Sequence, residues 1–179
     1  MSGHSKWANI KRQKGVNDIK RAQIFTKIAR AITVAVQKFG GDPDSNPNLR
    51  LAIEKARAEN MPKDNIERAI KKGTGGSLGA QRLEDAKYEG FGPNGIAILV
   101  DCLTDNKNRT TAEIRNIFTR FGGNLGGAGS TNYIFASDPE NPSFTIPITD
   151  EPTKNKIISL LEALDDYDDV QEVYSNGEF

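Results

Sequence analysis

Seven cations fall within the first 27 residues of this chain: Lys6, Lys11, Arg12, Lys14, Lys20, Arg21 and Lys27. His4 and Trp7 lie among them, and Asp18 is the one acid before residue 39. Lysine and arginine at this density neutralise phosphates and release the counterions condensed on nucleic acid. Trp7 offers a flat face for stacking on a base, or an anchor against a neighbouring helix. His4, in the same polar arm, is suited to nucleic-acid contact or to plain solvation. These nine residues form the candidate nucleic-acid-binding set.

The charge distribution of the whole chain supports that reading. The formal net charge is zero, but residues 1–82 carry 17 Lys and Arg against 7 Asp and Glu, and residues 83–179 carry 7 against 17. A balance of +10 in one half and −10 in the other suggests that the first half meets a polyanion. The alternative is a solvated basic face without a partner. The acidic half is then expected to face away from nucleic acid and to be available to a protein partner.

Other chemistries find little support. Zinc sites need clusters of His, Cys and carboxylate, and this chain has one His and one Cys. His4 lacks the nucleophile and the orienting group that a catalytic base requires. Cys102 ends an apolar strand and reads as a packed core thiol. Gly73–Gly76 lacks the Lys-Ser/Thr of a phosphate-binding P-loop, and Gly90–Gly95 precedes a strand rather than opening a helix. Residues 122–130, rich in glycine, could present backbone N–H groups to a phosphate, although a turn is the simpler reading. The acidic run 165–169 lacks the spacing of a calcium loop and reads as a solvated helix end. No pair of carboxylates is singled out for hydrolysis. The expectation is a non-enzymatic protein with no metal and no cofactor.

These residues must be carried on a scaffold. Asn17 or Asp18 can cap a helix running to about Phe39, with Phe25, Ile28, Ala29, Ile32 and Val36 on one face. Lys20, Lys27 and Lys38 lie away from that stripe, and Gly40–Gly41 stops the helix. Asn46–Pro47 opens a second helix that buries Leu49, Ala52, Ile53 and Ala56. A third begins at Pro62, buries Ile66 and Ile70, and ends at Gly73. Three amphipathic helices with short connections imply a small bundle. A flexible linker follows by composition, with a domain boundary near residue 80.

Beyond it the period changes. Residues 96–100 read as a buried strand, and a helix from Asn108 or Thr110 carries Ile114, Ile117, Phe118 and Phe121. Thr131–Phe135 and Phe144–Ile148 read as strands, Thr153–Leu164 as a helix and Val170–Tyr174 as a closing strand. The expected fold is α+β: an N-terminal three-helix bundle over 1–80, then a ferredoxin-like β-α-β-β-α-β domain over 81–179. No apolar run approaches the roughly 18 residues that span a bilayer. The first residues lack a secretory pattern, and a single cysteine fits a reducing compartment, so a cytoplasmic location is expected.

Several ordered motifs also resemble one family. Gly3-His4-Ser5-Lys6-Trp7-Ala8-Asn9-Ile10, Ile24-Phe25-Thr26-Lys27, Gly41-Asp42-Pro43 with Asn46-Pro47, and Asn60-Met61-Pro62 occur in the first half. Tyr88–Pro93, Thr104–Thr110, Gly122–Gly126 and Asp168–Tyr174 continue the series. Together they resemble the YebC/PmpR family along nearly the whole chain. The resemblance implies a cytoplasmic DNA-binding transcriptional regulator. Relatives in bacteria and mitochondria are linked to translation, including activation of the cytochrome oxidase type and relief of ribosomes stalled on proline-rich stretches. It also implies a helical first domain and two α/β domains, the third inserted within the second. Here Ser137–Pro142 joins the two parts directly. The family's further 60 or 70 residues, roughly, are absent, a loss that the fold tolerates if the two ends lie close together.

Overall fold

The computed structural model describes residues 18–75 and 82–179. Their contacts group into two compact units, one holding the three helices up to Glu84 together with Leu103–Asp105, the other the sheet with its own helices. The class is α+β, with N-terminal helices followed by an antiparallel sheet. The boundary expected near residue 80 lies outside the described residues.

In the helical unit, α1 spans Asp18–Phe39, α2 spans Pro47–Ala58 and α3 spans Lys63–Gly73. α1 packs on both of the others. The core is Ile28, Ile32, Val36, Leu49, Ile53, Ala56, Met61, Ile66 and Ala69, with Phe25, Ala29, Ala52 and Ile70 packed at its edge. Asn46 begins α2 as expected: its side chain accepts from Leu49 N–H at 3.0 Å. It also donates to the carbonyls of Ala35 (2.9 Å) and Gly40 (2.8 Å), so one buried side chain ties the end of α1 to the start of α2. Gly73 is the last residue of α3, Thr74 follows as its C-cap, and the glycine is there for packing. A Cβ there would lie 2.6 Å from Val36 Cβ and 2.8 Å from the Thr33 carbonyl, so only glycine lets α3 approach α1 this closely.

The sheet unit contains β1 (Glu84–Phe91), β2 (Ala97–Thr104), α4 (Lys107–Arg120), β3 (Asn124–Leu125), α5 (Asn132–Phe135), β4 (Ile146–Pro147), α6 (Glu151–Asp165), β5 (Val170–Ser175) and β6 (Gly177–Glu178). The main sheet has the order β3-β1-β2-β5, and β4 pairs in parallel with β6 in a separate two-stranded sheet. Ile96, Ile98, Val100, Ile114, Phe118, Ile157, Leu160, Leu161, Leu164 and Val170 form its core. The helices α4 and α6 contribute six of those side chains from spacings of three and four, which places both on the sheet's apolar face. At Gly90 a Cβ would come within 2.7 Å of the Phe118 ring, so this glycine lets α4 seat against β1.

The observed order departs from β-α-β-β-α-β in several places. A strand, β1, precedes β2; of its residues only the adjacent Glu89 and Gly90 are fully buried, so no alternation marks it and a hydrophobic pattern does not reveal it. Thr131–Phe135, expected as a strand on its aromatic and β-branched content, contains the single helical turn α5. Of Phe144–Ile148 only Ile146–Pro147 is strand, and it pairs with the chain's last strand rather than with the main sheet. Among the described residues no helix is long and apolar enough to cross a membrane.

Candidate nucleic-acid interface

Six of the nine residues in the candidate set, His4, Lys6, Trp7, Lys11, Arg12 and Lys14, lie outside the described residues. The other three are on α1. Lys20 and Lys27 are half-buried and Arg21 is exposed. Arg21 lies 3.5 Å from Asp18 one turn earlier, with both side chains largely in water, so this pair contributes little stability.

The described residues bring a different set of cations together. A groove of about 410 Å³ runs between α1 and α3, edged by Arg30, Arg68 and Lys72. Its floor is apolar: Phe25 and Ala29 from α1, Met61 and Ala69, and Leu83. Thr26, Thr33 and Asn65 add polar groups. The helical period explains the convergence. Arg68 and Lys72 are four residues apart, as are Thr26 and Arg30, so each pair stacks on one face of its helix. Thr33 is committed within the unit: its hydroxyl lies 2.9 Å from the Ala29 carbonyl and 3.2 Å from the Ala69 carbonyl. Arg68 and Lys72 form no ion pair with another described residue, and both are exposed. A concave apolar floor beneath three cations suits an anionic ligand with a flat apolar part. Sequence reading missed Arg30, Arg68 and Lys72. The spacing of Arg68 and Lys72 was a visible signal, but that they meet Arg30 depends on how α1 and α3 pack.

The sheet unit resolves two other candidates. The glycine-rich segment 122–130, with Thr131 just after it, does present backbone N–H groups to an anion, and the anion is the protein's own Glu89. Its carboxylate, buried at 7% exposure, accepts from Gly129 N–H (2.7 Å), Thr131 N–H (2.6 Å) and the Thr131 hydroxyl (2.7 Å). Burial alone would raise its pKa, but these bonds outweigh it and hold the carboxyl below its ordinary value of 4.5. The segment is a turn locked by an internal carboxylate. The acidic run also differs from a plain solvated helix end. Asp168 is exposed, but Asp169 is 2% exposed and accepts from Arg109 Nη2 (2.9 Å), the Thr110 hydroxyl (2.7 Å) and the Tyr167 hydroxyl (3.1 Å). It ties the start of α4 to the start of β5. Cys102 is a buried thiol in the sheet core, as its place at the end of an apolar strand suggested.

A three-helix unit with a cation-edged groove, followed in the chain by an α+β sheet unit, defines the class of protein. The TACO1/YebC protein N-terminal domain matches residues 5–76, and the TACO1/YebC second and third domain matches residues 83–139. A "Probable transcriptional regulatory protein" of Persephonella marina is 42% identical over 241 residues, covering 99% of this chain and 96% of that protein. One of the same name from Treponema denticola is 64% identical over 135 residues, 75% of this chain and 54% of its own length. The crystal structure of a conserved hypothetical protein, Aq1575 from Aquifex aeolicus, superposes with a TM-score of 0.86 at 36% identity, covering 97% of each chain. The chain belongs to the TACO1/YebC family.

The Persephonella alignment is longer than this chain of 179 residues by roughly 60 positions, so it spans a segment that this chain lacks. At the direct join the ends are close. Ser143 N–H donates to the Ile134 carbonyl at 2.8 Å, and the Ser143 hydroxyl to the Tyr133 carbonyl at 2.8 Å. Tyr133 and Phe144 stack beside them with ring centroids 6.2 Å apart. Two chain ends this near can be joined by a short loop or by a whole domain without strain on the surrounding fold.

Proposed function

We propose that this protein is a non-enzymatic nucleic-acid-binding regulator of gene expression that acts on ribosomes, in the manner of a factor relieving stalls on proline-rich stretches. The observation that carries the reading is the segregation of charge. The first 82 residues hold a +10 balance, and three of their cations converge on one groove. Phosphate contacts of this kind position a protein without supplying sequence information. Selection of one promoter needs discrimination of several orders of magnitude over random DNA. Folded ribosomal RNA offers specificity through shape, and the acidic half can add contacts to basic ribosomal proteins. A cytoplasmic location and the absence of metal, cofactor and catalytic chemistry belong to the same proposal.

The relatives' name, probable transcriptional regulatory protein, favours a second reading, a DNA-binding transcriptional regulator. Competition at physiological salt separates the two. The protein is mixed with purified ribosomes, promoter fragments and random duplex DNA. Cosedimentation with ribosomes that survives an excess of random DNA is the expected result. Promoter binding that survives a thousand-fold excess of random DNA, roughly the discrimination a promoter-specific regulator needs, with no cosedimentation, would leave the transcriptional reading standing instead.

A further inference from the structure

Building on the nucleic-acid reading above, we propose that the groove between α1 and α3 seats one unpaired nucleotide of a single-stranded region, its base on the apolar floor and its phosphate on the cationic edge. Cations alone would serve a duplex. The floor beneath them would not, because the bases of a duplex are paired and stacked and present only sugar and phosphate to a groove of this kind. A splayed nucleotide uses both parts. Its base can stack on the half-buried ring of Phe25 against Met61 and Leu83, and its phosphates meet Arg68 and Lys72, while Arg30, whose Nη1 donates to the Leu103 carbonyl at 3.0 Å, borders the same edge. A volume of about 410 Å³ falls in the range of small-ligand sites.

Asn65 sits on the same wall, and its carboxamide makes no hydrogen bond to another described residue. It carries a donor and an acceptor side by side, the pattern needed to meet a base edge. The chain's own N-terminal arm is a poor occupant. Residues 1–14 carry Lys6, Lys11, Arg12 and Lys14 and no acid, the same sign as the groove edge.

Fluorescence anisotropy on the full chain tests this with three labelled probes: a single-stranded RNA of about twelve nucleotides, the same sequence as a duplex, and a strand of that length without bases. Wild type should bind the single strand about tenfold more tightly than the baseless strand, the magnitude expected for base stacking. Arg68→Ala with Lys72→Ala, both exposed positions, should keep the melting temperature. It should weaken single-strand binding about tenfold and duplex binding less than threefold, since the remaining cations still serve a duplex. Asn65→Ala should weaken binding of the single strand and leave the baseless strand unaffected. Equal losses on single strand and duplex, or equal wild-type affinity for the strands with and without bases, would overturn the groove assignment and leave the proposed function in place. Failure to bind any of the three would overturn the proposed function as well.

Discussion

The two units use similar chemistry to opposite ends. In the sheet unit, anion-binding features are satisfied internally. The glycine-rich segment, with Thr131 just after it, gives N–H groups to Glu89, and Arg109 gives a guanidinium nitrogen to Asp169. In the helical unit, Arg68 and Lys72 stand exposed at a concave edge. A glycine-rich loop or an arginine is therefore no sign of a ligand in itself. What matters is whether a carboxylate of the same unit already occupies it.

The stabilising contacts differ as well. The helical core joins three consecutive helices, whereas β2 pairs with β5 far along the chain, and Glu89 reaches 42 residues to Thr131. Phe118, fully buried against Gly90 and the sheet, is the point at which this contrast is sharpest. Phe118→Ala should cost about 3–5 kcal/mol, the usual loss for a buried aromatic ring. Thermal unfolding followed by circular dichroism should show an earlier transition of the sheet unit, its helices α4 and α6 included, with the remaining helical signal of α1–α3 persisting to higher temperature. A single transition that lowers both signals together would show that the two units unfold as one.

A smaller effect is expected at Glu89. Its folded pKa lies below 4.5, so its contribution is fully present above that value and is lost as pH falls through the folded pKa. Glu89→Gln should cost about 1–2 kcal/mol at neutral pH, because the three donors lose a charged acceptor. The difference from wild type should shrink below pH 4.5. Denaturant titrations at neutral and acidic pH measure it. A difference that stays constant through the acidic range would mean that the carboxylate charge is not what locks the loop.

The same contrast governs what could be read from sequence. The helical unit was legible because its signals are local: the Asn46–Pro47 start, the Gly40–Gly41 and Gly73 stops, and stripes of period 3.6. Helices α4 and α6 and strands β2 and β5 were legible for the same reason. β1 was not, since it buries too few side chains to alternate clearly. Thr131–Phe135 was misread because its conformation is set by Glu89 from a distant strand, against a strand-like local composition. The groove was hidden for a related reason. Arg68 and Lys72 announce a face of α3, but their meeting with Arg30 depends on the close approach that Gly73 permits.

Whether the helical half holds nucleic acid through its charge is tested most directly by the salt dependence of binding to duplex DNA, measured for wild type and two sets of variants. With about five phosphates neutralised, the slope of log K against log salt should lie near −4 to −5 for wild type. Neutralising Lys11, Arg12 and Lys14 together should flatten it, while neutralising Arg115 and Arg120, exposed on α4 of the sheet unit, should leave it unchanged. A salt-independent affinity, or a slope that flattens only when the α4 arginines are removed, would contradict the assignment of binding to the helical half.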